Sequence, residues 1–141
     1  MDPTNLFKLT ACGFILDPQG RLLILKRRED DPFLPGFWQT PGGVVQPNET
    51  PEAAVERCAR EDAGLETSCD KLFGYFTYAD ANHQRAINLN FLCSLSDPSQ
   101  FVTLGQGMVD EAWSTLLELT NYNMTPELYD ACRWALGKSS M

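Results

Sequence analysis

The chain has 141 residues, enough for one domain with a sizeable core and too few for two ordinary ones. A net charge of −8 argues against non-specific binding to duplex nucleic acid or to an anionic membrane surface. The 43% apolar and 21% charged residues argue against disorder, and an acidic protein that handles phosphates needs local arginines or a bound cation.

The N-terminus, "MDPTNLFKLTACGFIL", has no basic region ahead of its apolar run, so no secretory leader is expected, and no apolar run approaches membrane-spanning length. The cysteines at 12, 58, 69, 93 and 132 form no CxxC pair and are odd in number. They read as reduced, mostly buried thiols of a cytoplasmic protein rather than as a zinc site or a disulfide framework.

"KLTACGFIL" and "RLLILKR" read as two largely buried strands joined by the turn Asp17–Gly20. Arg27 and Arg28 end the second strand, where each is either a phosphate contact or a solvated strand end. "REDDPFLPG" reads as a loop, "FWQT" as a short strand and "PGG" as a break. Phe37 and Trp38 fit either stacking on a base or packing behind the glycine turn.

Thr50 before Pro51 is an N-cap with proline at the first helical position, and Gly64 is a stop, so the sequence predicts a helix over 51–63. On that helix Val55, Ala59 and Ala63 form a core stripe at about 100° per residue. Asp62, Cys58 and Glu61 fan along one flank, with Arg57 just beyond. Adjacent carboxylates repel unless a cation or basic group sits between them. Gly42 and Gly43 allow close backbone approach in front of the helix. Clustered carboxylates beside such a turn suit Mg²⁺, which keeps waters and completes its shell with substrate phosphates.

"KLFGYFTYA" and "RAINLNFLCSL" are two further strands, joined by a turn at "DANHQ" that holds the single histidine, His83, in a polar, solvated setting. Tyr75, Phe76 and Tyr78 alternate in the first of them as core or pocket lining. "MVDEAWS" is a short strand, and "TPELYDACRWAL" a second helix opened by Thr125, Pro126 and Glu127. Strands, helix, strands and helix give an α/β sandwich around a mixed sheet, a single domain over 1–141.

The stretch from Gly43 to Leu65 resembles the Nudix box, G-x5-E-x7-R-E-U-x-E-E-x-G-U, where U is a bulky aliphatic. Gly43, Glu49, Arg57, Glu61, Asp62, Gly64 and Leu65 fall in register, and "LPGFWQTPGG" is similar to the family's usual lead-in. The box departs from the pattern at Cys58, where the first glutamate of the R-E pair is usual, at Ala59 and at Asp62.

The resemblance implies an α/β/α sandwich and a hydrolase, using Mg²⁺ or Mn²⁺ and water, that cleaves the pyrophosphate of a nucleoside diphosphate derivative. It implies Glu61 and Asp62 as metal ligands, Arg57 and Glu49 as a pair holding the loop against the helix, and Gly43 presenting its backbone to metal or phosphate. Asp110 and Glu111, before Trp113, stand where relatives supply a further metal ligand or base. One of them would replace the missing carboxylate; otherwise both are exposed loop acids. A homodimer is an expectation from the same resemblance. Cys58, near carboxylates that raise a thiol's pKa, reads as a small half-buried filler rather than a nucleophile or Mg²⁺ ligand. The alternative function is a nucleotide-binding or regulatory module that kept the fold and lost turnover.

Overall fold

The computed structural model describes residues 6–139, so Met1 to Asn5, within the N-terminal stretch where no secretory leader is expected, lie outside the described residues. Strands β1 (Lys8–Leu16) and β2 (Leu22–Arg27) meet at the Asp17–Gly20 turn, where Gly20 takes φ +77°. Short strands β3 (Trp38–Gln39) and β4 (Gly42–Val44) follow, then helix α1 (Pro51–Ala63). Strands β5 (Thr67–Ala79) and β6 (Arg85–Leu95) form a long antiparallel hairpin, and β7 (Met108–Ser114) and helix α2 (Pro126–Ser139) complete the order.

The sheet is mixed. β1 runs parallel to β6 and antiparallel to β4, while β2 pairs antiparallel with β3 and β7. Alternation along β1 assigns its two faces. Ala11 and Ile15 pack with Val55, Ala59 and Ala63 of α1. Cys12 and Phe14 pack with Leu128, Cys132 and Leu136 of α2. One helix therefore covers each face, which makes the α/β/α sandwich.

Helix α1 forms where expected because both ends are local chemistry. Thr50 Oγ1 accepts from the Ala53 amide at 3.1 Å, and Gly64, left-handed at φ +67°, donates to the Arg60 carbonyl at 2.9 Å. Its buried stripe is mostly small, so it lies close to the sheet. An added Cβ on Gly13 of β1 would sit 2.7 Å from Val55 Cγ1.

Two expectations change. "PGG" is not a break: Gly42 and Gly43 are paired residues of β4, opposite Cys12 and Ala11. Backbone pairing with β1 captures them, and Gly42 has no room for a side chain, since a Cβ would lie 2.6 Å from the Ala11 carbonyl oxygen. The fifth strand also starts four residues earlier than "KLFGYFTYA". Its extension is anchored from the helix, where Glu56 Oε2 accepts from the Cys69 amide at 3.0 Å.

Candidate active site

Arg57 organises the front of α1. Its Nε and Nη2 donate to Glu49 at 2.8 and 3.0 Å, Nη2 also donates to the Val44 carbonyl at 3.0 Å, and Nη1 reaches Glu61 at 3.1 Å. One guanidinium thus ties the loop before the helix, the end of β4 and a helix carboxylate together. It holds the Glu49 carboxyl down to about 2, helped by the Gln46 amide that donates to Oε1.

Asp62 is set differently. Its Oδ2 accepts from the Gly42 amide at 3.3 Å, and burial pushes its pKa up to about 6 against that hydrogen bond. Glu61 raises it further, while Arg27 and Arg57 pull it down. Asp62 is a half-buried carboxylate, whereas the neighbouring Glu61 side chain is 58% exposed. Such a pair, one desolvated acid beside one accessible acid, has spare oxygen donors for a hard cation.

Cys58 is fully buried rather than half-buried, and burial, ahead of the neighbouring carboxylates, pushes its thiol up to about 11. Its Sγ faces β4, where a Cβ on Gly43 would lie 3.2 Å away. A protonated soft thiol there adds nothing for Mg²⁺. Among the described residues, no three His, Cys, Asp or Glu side chains form a ready metal cluster.

The remaining candidates divide. Arg27 Nη1 donates to Asp31 at 3.0 Å, its buried Nε has no partner, and it lines a cleft beside Gly42 and Gly43. Arg28 is exposed and paired with Asp30 outside that cleft. Trp38 lines the cleft and meets Tyr122 edge-on at 4.8 Å. Asp110 and Glu111 are exposed on β7, opposite Lys26 and Leu25. Leu25 packs on the α1 side, so Glu111 shares the face that carries the acidic helix and Asp110 lies on the other. His83 is exposed in the β5–β6 turn, at φ +63°.

Sequence reading missed two features. The loop between β6 and β7 closes the end of α1: the Thr103 amide donates to the Ala63 carbonyl at 2.8 Å and the Gly105 amide to that of Asp62 at 2.9 Å. The second is the floor of the cleft, made by Thr10, Cys12, Thr40 and Asn88, all buried. The signal for it was present as polar residues at every second position of apolar strands.

The sandwich, the arginine-clamped loop and the carboxylate pair at the end of α1 form an arrangement of the Nudix type. The NUDIX domain model matches residues 6–135, and the chain belongs to that family. A MutT-like protein of Streptomyces ambofaciens is 34% identical over 71 residues, which are 50% of this chain and 43% of that protein. Nucleoside triphosphatase NudI of Enterobacter sp. (strain 638) is 28% identical over 118 residues, covering 78% of this chain and 84% of the relative. In fold the chain is similar to the MutT protein from Methanosarcina mazei Go1, with TM-score 0.77 and 20% identity over 95% of this chain and 93% of that one.

Proposed function

We propose that this protein hydrolyses the pyrophosphate of a nucleoside diphosphate derivative, with a nucleoside triphosphate as the first class to test, by attack of water on phosphorus. The observation that carries the reading is the contact between Asp62 and the Gly42 amide, which joins the acidic end of α1 to the rim of an aromatic-walled cleft. A nucleotide whose base enters the cleft has its phosphates carried past β4 toward Asp62 and Glu61.

Mg²⁺ or Mn²⁺ fits this donor set, because Asp62 is a desolvated carboxylate with one neighbouring acid and no committed cationic partner of its own. When bound, the metal neutralises charge on phosphate oxygens and lowers the pKa of bound water. Glu61 and Asp62 would hold it, with Glu111, on the same face of the sheet as α1, as a further oxygen donor. Arg57 and Glu49 keep the loop and helix in register, and Gly43 offers backbone close to the phosphates. Arg27 lies at the Asp62 end of the cleft, suited to a phosphate oxygen, with Arg28 the more solvated of the two. The relative NudI, named as a nucleoside triphosphatase, supports the substrate class. Five free thiols fit a reducing, cytoplasmic setting.

Cys58 favours one competing reading, a nucleotide-binding module without turnover, because it removes a carboxylate from the middle of the cluster. A panel of nucleoside triphosphates, nucleotide sugars and dinucleotides with Mg²⁺ or Mn²⁺ separates the two. Metal-dependent turnover lost in Asp62→Asn is expected. No turnover on the whole panel, with nucleotide binding indifferent to metal, would establish the binding module.

A further inference from the structure

Cys69 of β5 and Cys93 of β6 are direct partners in the antiparallel register of the hairpin. The hydrogen-bond phase of the ladder fixes which kind of pair they are. In the same register, the Glu66 carbonyl accepts from the Ser96 amide at 3.0 Å. Hydrogen-bonded and non-hydrogen-bonded pairs alternate along an antiparallel ladder, so Ser68–Ser94 is bonded and Cys69–Cys93 is not. The Cys69 amide agrees: it points away from β6 and donates to Glu56 Oε2 of α1 at 3.0 Å. Residues opposed at such a position bring their Cα atoms to about 4.5 Å and their side chains closest together. That spacing falls within the roughly 4.4–6.8 Å that a disulfide spans. The two thiols already meet as hydrogen-bond partners.

The pair is unequal in access. Of the five cysteines, Cys69 alone is not buried, and it lines a surface pocket with Glu52, Asp70 and Leu72. Cys93 is 3% exposed, and its Sγ packs over Gly13, where an added Cβ would lie 3.1 Å from it. The hydrogen bond with Cys69 and burial both push the Cys93 thiol up, so it stays protonated until its partner reacts. The ladder is also irregular here. A register shift follows Cys69 directly, and β5 ends the strand order of the sheet. A bulge on an edge strand lets the backbone adjust as the sulfurs close.

We propose that Cys69 and Cys93 are a redox-active dithiol, closed into a cross-strand disulfide by a low-molecular-weight disulfide of the glutathione type. The Cys69 thiolate, its proton given to water, attacks one sulfur of the small disulfide. A mixed disulfide forms, and one small thiolate leaves and takes up a proton from water. Cys93 then attacks the Cys69 sulfur, and its proton passes to the second small thiolate as that leaves. Two protein thiols are oxidised and one small disulfide is reduced to two thiols, so no other reactant is needed. The new bond ties the edge strand to β6 beneath α1, and it closes a loop that persists in the unfolded chain. In a reducing cytoplasm the pair stays open, and it closes when the small-disulfide pool rises.

The test is incubation of the native protein with oxidised glutathione, followed by alkylation, peptide mass mapping and a thermal melt. It needs no nucleotide, metal or turnover, so its result is independent of the hydrolase reading. The wild-type protein should lose two thiols, carry a Cys69–Cys93 link with no retained glutathione, and melt at least about 4 °C higher. Dithiothreitol should return both thiols and the original Tm. Cys93→Ala should stop at a glutathione adduct on Cys69, and Cys69→Ala should take up none. The wild-type map decides by itself, so failure of either variant to fold leaves the test intact. A stable glutathione adduct on wild-type Cys69, a link between any other pair, or no modification at all overturns the proposal.

Discussion

Arg57 grips Glu49 through a fork, Nε to Oε2 at 2.8 Å and Nη2 to Oε1 at 3.0 Å, and with its remaining nitrogen it holds Glu61. The fork links the loop before α1 to the carboxylate pair at its end. Glu49→Gln keeps the shape but removes the charge, so the loop should loosen and Glu61 should lose its orientation. Turnover should fall at least tenfold with a smaller change in nucleotide affinity. The folded-state pKa of Glu49, about 2, lies below its ordinary 4.5. Its stabilisation is therefore present above pH 4.5 and is lost as pH falls toward 2. Urea titrations at pH 7 and pH 3 check this: wild type should lose more stability between them than Glu49→Gln does.

Asp62 has the opposite sign. Its folded pKa, about 6, lies above the ordinary 3.8, so the fold favours its protonated form and loses stability as pH rises from about 4 to 6. The step corresponds to an effect on the order of 3 kcal/mol. Asp62→Asn should remove that loss and make the metal-free protein more stable at pH 7.5. The same charge is what a cation binds. Mg²⁺ should raise the wild-type Tm at pH 7.5 but not at pH 5, and should leave Asp62→Asn unmoved at both. A Mg²⁺-dependent Tm rise in Asp62→Asn would remove this residue from the metal site.

How far these features can be read from sequence depends on whether local chemistry sets them. Helix α1 is legible to the residue because Thr50, Pro51 and Gly64 fix its ends, and the Arg57–Glu49 contact is one that the resemblance to the Nudix box implies. The pairing of Gly42 with Cys12 is not legible, since a Pro-Gly-Gly run signals a break unless a neighbouring strand is known to claim it. Thr10, Asn88 and Asn90 are visible as polar residues in apolar strands, yet only the parallel register of β1 and β6 makes them one network. On a helical wheel Asp62 lies beside the core residue Val55 and Glu61 about 100° further round, so the wheel orders their burial but not its depth. The sheet and loop around them half-bury Asp62 and leave Glu61 in water.

Cys58 offers a direct test of the missing carboxylate. Cys58→Ala deletes one buried sulfur atom, should cost about 1 kcal/mol, and should leave turnover within about threefold. Cys58→Glu places a third carboxylate beside Asp62 and Glu61, against the backbone of Gly43. In the absence of metal it should lower the Tm by repulsion and desolvation, and Mg²⁺ should restore more than the loss, with turnover rising. Turnover unchanged with a normal Mg²⁺ response would mean that another carboxylate already serves, with Glu111 and Asp110 the residues to vary next.

Gly105 is the last link in the geometry of the carboxylate pair. Its amide donates to the Asp62 carbonyl at 2.9 Å, and a Cβ built on it would stand 2.1 Å from the Glu61 carbonyl oxygen, closer than any real contact. Gly105→Ala must therefore push the loop off the end of α1, breaking the hydrogen bond and freeing the backbone of both acids. A cost of about 1–3 kcal/mol is expected, and turnover should drop tenfold or more, because displacement of about 1 Å at the reacting groups is enough. Gly107, two residues on, has nothing within 4 Å of an added Cβ, so Gly107→Ala should be near neutral in both measurements. Thermal melts and kcat for the two variants make the comparison. If Gly105→Ala matched Gly107→Ala, the loop would have no part in holding Glu61 and Asp62 in place.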